Sequence, residues 1–192
     1  MPKAQRGERR NQILQTLAEM LQDPKGEKIT TALLAKKLDV SEAALYRHFA
    51  SKAQMYEGLI EFIETSIFSL VNKIQSEEPA GMKQLEALMA MLLTFAQKNP
   101  GMVRVLIGDA LVNEDERLQA RINQLHDRIE ASLRQSARQA VADQALPANW
   151  DINAYANTLL AFATGRWHQF AKSGFKRMPL EMWVAQWPVF AA

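Results

Sequence analysis

The chain has 192 residues, 48% of them apolar and 23% charged, enough for one large domain or for a small module on a larger body. It contains no cysteine, which excludes disulfides, zinc–thiolate sites and thiol catalysis. The net charge is only +2, yet residues 1–55 hold ten Lys/Arg against six Asp/Glu, and the rest thirteen against fifteen. Such an asymmetry is expected of a basic nucleic-acid-binding module with a separate second function behind it.

The opening MPKAQRGERRNQ carries no apolar signal run, and no stretch is long and apolar enough to span a membrane. The expectation is a soluble cytoplasmic protein without a membrane partner. Residues 1–7 read as a flexible arm, in which Lys3 and Arg6, with Arg9 and Arg10 beyond it, either follow DNA phosphate or are merely solvated. A first helix is expected over about 8–21, with Ile13, Leu14, Leu17, Ala18 and Leu21 on one face. The Pro and Gly of QDPKGEK make 22–28 a loop.

Residues 30–56, TTALLAKKLDVSEAALYRHFASKAQMY, then read as two short helices, a tight turn and the start of a third helix. Leu34, Ala35 and Leu38 form one apolar stripe; Leu45 and Phe49 form another. Asp39-Val40-Ser41 makes the break. Asp tolerates a left-handed backbone, Val40 can plug the angle between the helices, and Ser41 can cap the second one. This is a helix-turn-helix pattern with 41–48 as recognition helix. With Leu45 and Phe49 inward, Ala43 and Arg47 share an outer face. Small Ala43 and Ala44 permit close approach to base edges, Arg47 reaches a guanine or a phosphate, and Tyr46 and His48 suit phosphate. Thr30, beside Thr31, is placed to cap the preceding helix and aim its N–H groups at a phosphate. Ser51-Lys52-Ala53-Gln54 is a capping box; a lysine in that first turn opposes the helix dipole, which suggests a phosphate contact for Lys52.

The remainder is helical by period. A helix at 51–76 carries Tyr56, Ile60, Ile63, Ile67 and Val71, with Leu59, Phe62 and Leu70 off that stripe. Residues 83–97 read as a buried helix stopped by Asn99-Pro100-Gly101, followed by a short helix at about 101–112. Asn113 is the expected cap of a helix running to Asp143. Its stripe is Leu118, Ile122, Leu125, Ile129, Leu133, Ala137 and Val141. LPANWD breaks the chain before a helix at about 152–173 with Leu159, Phe162, Trp167 and Phe170. Gly174 closes that helix, and Pro179 starts a last short one bearing Trp183 and Trp187. No segment alternates with period two, so the fold class is all-α, with residues 1–52 as DNA-binding domain and 53–192 as a helical dimerisation and partner-binding body.

No catalytic or metal constellation is visible. His48, His126 and His168 are isolated, His126 is expected to be solvated, and there is no HExxH, GxSxG, P-loop or GxGxxG. The expectation is a non-enzyme without cofactor or metal. Met82, Met89, Met91 and Met102 are either plain core or the wall of an adaptable pocket.

The helix-turn-helix, and LYRHFASK (45–52) above all, resembles the DNA-binding domain of the TetR family of dimeric regulators; Asp39 stands where Gly is frequent in that family. The resemblance implies that the helices at 114–143 and 152–173 form a four-helix bundle with a second copy. Leu118, Ile122, Leu125, Ile129, Leu133, Leu159, Phe162, Trp167 and Phe170 would then be the homodimer interface. Further segments are similar to one branch of the family, the nucleoid occlusion factors. They are ITTALLAKKLDVSEAALYRHFASK (29–52), LIEFIE (59–64), Asn99-Pro100-Gly101, RLQARINQLHDRIEASLRQ (117–135) and Trp187-Pro188. That similarity implies a nucleoid-associated homodimer on palindromic double-stranded DNA, loading as more than one dimer per site. It would oppose assembly of the tubulin-like division protein FtsZ by binding its short, partly acidic C-terminal tail. Phe62, Leu70, Met91, Lys98 and Asn99 are the candidate walls of a tail groove, unless Phe62 and Met91 are core. Leu70 and Lys98 stand where arginines would be expected. The competing reading is a ligand-responsive repressor, which requires a closed dry pocket in the body.

Overall fold

The computed structural model describes residues 3–23 and 29–191, with side chains from Gly7 onward. Most of the expected 22–28 loop and the side chains of Lys3 and Arg6 lie outside the described residues. Among those described there are nine α-helices, one 3-10 turn and no strand. The head comprises α1 (Lys3–Met20), α2 (Thr31–Lys37) and α3 (Glu42–Tyr46). The body comprises α4 (Lys52–Glu77), α5 (Gly81–Lys98), α6 (Pro100–Leu106), a 3-10 turn (Asp109–Leu111), α7 (Glu116–Ala142), α8 (Ile152–Lys172) and α9 (Trp183–Phe190).

The apolar stripes dictate how these helices assemble. In α4, Tyr56, Ile60, Ile63, Ile67 and Val71 recur every three or four residues and are buried. In α7, the stripe from Leu118 to Leu133 turns inward onto α4, α5 and α8, which makes α7 the axis of the body. α8 answers with Leu159, Ala163, Trp167 and Phe170, all buried. Trp167 fills the space between α5, α7 and α8, and its indole N–H donates to the Leu92 carbonyl at 3.2 Å. Burying an aromatic body while satisfying its one donor removes the usual cost of a polar group in a core.

Several expectations are corrected. The N-terminal arm is helical from Lys3, so α1 is longer than the 8–21 reading. The α7 cap is Asp115, whose carboxylate accepts from the Arg117 N–H; Asn113 instead takes a left-handed φ of 65° in the turn before it. The 101–112 helix splits at Gly108, φ 76°, into α6 and the 3-10 turn. His126 is not solvated but half-buried, its ring 5.9 Å from that of Trp167, whereas His168 is exposed.

The largest correction concerns the expected dimer interface. Leu118, Ile122, Leu125, Ile129, Leu133, Leu159, Trp167 and Phe170 are each at most 2% exposed within one chain. Phe162 is half-buried against Trp183 and Phe190 of α9. From Leu118 to Leu133 the stripe closes the chain's own core against three other helices, so these side chains are not free to face a second copy.

Two close approaches join head and body. A Cβ on Gly101 of α6 would sit 2.0 Å from the Ala18 carbonyl oxygen of α1, so only glycine allows these backbones to meet. One turn on, Arg104 donates to the carbonyls of Leu21 and Asp23, both at 3.4 Å, and to the Asp109 carboxylate at 2.9 Å. Lys172 of α8 also pairs with Asp109. Burial pushes the Asp109 carboxyl up, but hydrogen bonds from Lys172 and Arg104 outweigh it and hold the group below its ordinary value.

Candidate nucleic-acid interface and partner surface

Two capped helix starts shape the head and a third opens the body. Thr30 accepts from the Leu33 N–H at 3.2 Å, Ser41 from the Ala44 N–H at 3.3 Å, and Ser51 from the Gln54 N–H at 3.2 Å. Each satisfies an orphan donor that would otherwise fray the first turn. The Gln54 side chain reaches back to the Ala50 N–H at 2.9 Å, one residue before the expected position. The turn between α2 and α3 is made by Asp39, φ 53°, followed by a 3.0 Å bond from the Val40 N–H to the Ala35 carbonyl. Val40 is half-buried in the angle. The recognition helix is shorter than 41–48: regular structure ends at Tyr46, and Arg47 is its C-cap.

Leu45 and Phe49 are buried, which turns Ala43, Tyr46 and Arg47 outward, all exposed, beside exposed Ser41 and half-buried Ala44 and Thr31. Thr30, Thr31, Ser41, Ala43, Tyr46 and Arg47 thus form one outward surface at the start of α2 and along α3. The half-buried His48 has a ring nitrogen, Nδ1, with no hydrogen-bond partner among the described residues. Arg10 does not extend freely; its guanidinium lies over the Phe49 ring, 4.3 Å from the centroid, and fastens α1 to the end of the recognition segment. Lys52 departs most from expectation. Its ammonium pairs with Glu114, from the turn before α7, and lies 5.6 Å from the Tyr56 ring centroid. Burial, and then the Glu114 charge, push the Tyr56 hydroxyl up to about 12.

The tail-groove candidates lie on α4, on α5 and at the C-cap of α5. Phe62 is 51% exposed and Leu70 42%, so neither is core. Met91 is half-buried and Lys98 exposed. Asn99 is half-buried, and its side-chain amide donates to the Phe95 carbonyl at 2.8 Å. Phe62 lines an open cleft of about 280 Å³ together with Leu59, Met102 of α6, and Asn11, Leu14 and Gln15 of α1. Sequence reasoning missed this contribution of α1, because nothing in a helical period says which helix will cross it. Of the methionines, Met89 is core and Met82, Met91 and Met102 are half-buried.

Comparison with known proteins identifies the scaffold. Residues 13–59 match the family model for bacterial regulatory proteins of the tetR family, and residues 80–192 match that for the tetracyclin repressor-like C-terminal domain. The nucleoid occlusion factor SlmA of Marinomonas sp. (strain MWYL1) is 49% identical over 97% of this chain and 94% of its own length. That of Shewanella halifaxensis (strain HAW-EB4) is 51% identical over 93% and 91%. The chain belongs to the SlmA family of TetR-like proteins.

The fold agrees with more distant members of the wider family. The TetR family transcriptional regulator PfmR from Thermus thermophilus superposes with a TM-score of 0.77 at 22% identity, over 93% of this chain and 96% of its own. The MbdR regulator from Azoarcus sp. CIB gives 0.79 at 15% identity, over 93% and 95%. Family membership makes the head a DNA-binding helix-turn-helix. Among the described residues no helix is long and apolar enough to cross a membrane, and no cluster of His, Asp and Glu could hold a metal ion.

Proposed function

We propose that this chain is a nucleoid occlusion factor: a homodimer that binds palindromic DNA through two copies of the head and, while bound, engages the C-terminal tail of FtsZ and opposes ring assembly over the nucleoid. The observation that carries the reading is the near full-length similarity to SlmA proteins, body included. A helix-turn-helix alone would fit any regulator. The DNA contacts are assigned to Thr30, Thr31, Ser41, Ala43, Ala44, Tyr46, Arg47 and His48, with Lys52 reaching phosphate when it leaves Glu114. The tail surface is assigned to Phe62, Leu70, Met91, Lys98 and Asn99. The exposed Phe62 ring would serve as anchor beside the cleft it shares with α1, and Lys98 as the charge that suits an acidic segment.

The dimer surface is reassigned to the outer face of α8 and the adjoining α9. Ala154, Ala161, Gly165 and His168 are exposed along one side of α8. Nothing lies within 4 Å of where a Gly165 Cβ would be. A glycine inside a helix costs about 1 kcal/mol relative to alanine. Open space above it gives the monomer no reason to keep one; close approach of a second helix does. Next to this face an apolar cleft of about 530 Å³ runs along Trp150, Ala154, Tyr155, Thr158, Val189 and Phe190.

The deciding experiment is sedimentation of purified FtsZ polymers with this protein, with and without its specific DNA duplex. Loss of polymer that requires both protein and duplex supports the reading; unchanged polymer under both conditions defeats it. A ligand-responsive repressor would instead release DNA on adding a metabolite. Against that alternative, Trp167, Leu92, Leu125, Ile129 and Leu159 occupy the interior between α5, α7 and α8.

A further inference from the structure

The head carries one acidic side chain where a phosphate-binding surface should have none. Glu42 is the first residue of α3 and is exposed. Its Oε2 accepts a 2.6 Å hydrogen bond from the Thr31 hydroxyl, at the start of α2. The Tyr46 hydroxyl donates in turn to Thr31 Oγ1 at 3.5 Å. Thr31 of α2 therefore holds the carboxylate directly, and Tyr46 of α3 braces Thr31 at the limit of hydrogen-bond range. A carboxylate in the first turn is favourable to the helix dipole, by a few tenths to about 1 kcal/mol. That gain needs no partner on α2, and it comes with a negative charge aimed toward the densest negative charge in the cell.

We propose that Glu42 is a specificity-determining residue that reads the amino group of a cytosine in the major groove. The inference rests on the DNA-binding reading above. In a helix-turn-helix the N-terminal residues of the second helix are the ones that meet base edges, and Glu42 is the first of them. An ionised carboxylate only accepts hydrogen bonds. In the major groove, cytosine offers a lone amino donor, whereas guanine and thymine offer acceptors that repel a carboxylate, and adenine pairs its donor with an adjacent acceptor. Thr31 engages one of the two carboxylate oxygens and fixes its direction, so the ordering cost of a flexible side chain is met before DNA arrives. The same charge repels phosphate on any sequence, which lowers non-specific binding and sharpens discrimination from the other side.

The test uses the full-length protein, a duplex selected from a random library, and every single-base-pair substitution of that duplex, all at one salt concentration. Wild type, Glu42→Ala, Glu42→Gln and Thr31→Val are compared. Glu42→Ala is expected to lose tenfold or more discrimination at one C·G pair in each half-site and to bind random DNA several-fold more tightly. Glu42→Gln should move the preference at that pair from cytosine toward adenine, because an amide can both donate to adenine N7 and accept from N6. Thr31→Val should keep the cytosine preference in weakened form. A Glu42→Ala profile that shifts by one common factor on all duplexes overturns the proposal and leaves Glu42 as a staple between α2 and α3. So does a Thr31→Val profile that matches that of Glu42→Ala. If wild type selects no duplex, the DNA-binding reading itself has failed; selection by wild type with an unchanged Glu42→Ala profile sinks this proposal alone.

Discussion

Lys52, in the first turn of α4, forms an ion pair with Glu114, 62 positions further along the chain in the turn before α7. The two side chains are only 21% and 13% exposed, so the pair is better shielded than a surface bridge. It brings a lysine that follows the recognition segment under the charge of the body. A phosphate that takes Lys52 must therefore displace Glu114. Glu114→Gln should bind all DNA sequences more tightly, with log K falling more steeply against log salt by about 0.9 for each lysine released to phosphate. A salt titration of both proteins on specific and random duplexes checks this. An unchanged slope would mean that Lys52 never reaches DNA and serves only to dock the head.

Arg47 is exposed at the end of α3. Arg47→Ala should weaken the selected duplex by about 1–3 kcal/mol if the guanidinium reads a base, and should weaken random DNA less. Fluorescence anisotropy on both duplexes separates the cases, since equal losses would make Arg47 a phosphate contact.

The dimer surface makes opposite demands on two substitutions. Gly165→Leu puts bulk into open space on the monomer, so the variant should fold and stay soluble, and run as a monomer in analytical ultracentrifugation. Leu133→Glu, at a residue 1% exposed, should not yield a folded monomer, because it buries a charge in the core of the body. A folded Leu133→Glu monomer would restore the α7 stripe as an interface.

The partner surface should be separable from the DNA surface. With its ring half in solvent, Phe62→Ala should keep its thermal midpoint near that of wild type and still bind DNA, while losing most FtsZ-tail peptide binding. Lys98→Glu should weaken the same peptide by on the order of 1 kcal/mol, and less so at high salt. Full peptide affinity in both variants by calorimetry would move the partner site elsewhere.

His126 supplies a pH dependence. Burial holds its pKa below the ordinary 6.5, against a backbone hydrogen bond with Leu106 and the nearby Asp127 charge, which both act to raise it. The folded state therefore takes up a proton less readily than the unfolded one. The stability this gives is complete above pH 6.5 and falls as the pH drops through the folded value. His126→Phe should lose less of its thermal midpoint between pH 8 and pH 5.5 than wild type does. Parallel losses in the two proteins would assign the acid sensitivity to other groups.

Much of the head was legible in the sequence because its signals are local. Thr30, Ser41 and Ser51 cap the helices they precede, and Asp39 adopts the conformation the turn requires, since cap and turn chemistry act over three or four residues. The helices of the body were legible for the same reason. What a stripe faces is not a local property. The Leu118–Leu133 stripe has the same period whether it faces a second copy or its own chain, and only the packing of α4, α5 and α8 around α7 shows that it is core. Glu114 could not be read as the partner of Lys52, because the pair closes across 62 residues of chain. Gly165 was readable and passed over: a glycine inside a strong helical pattern marks either a kink or a neighbour.

The contact between Gly101 and the Ala18 carbonyl leaves no room for a single methyl group, and Arg104 grips the same end of α1. The head is thus carried as a rigid arm and not on a tether. In a two-fold assembly the spacing between recognition helices then becomes a property of the body, machined into the α1–α6 joint, and a hinge of a few degrees there would be doubled at the DNA. A Gly101→Ala protein with an intact reading surface should prefer operators whose half-sites sit at a different separation, a caliper reset by one carbon atom.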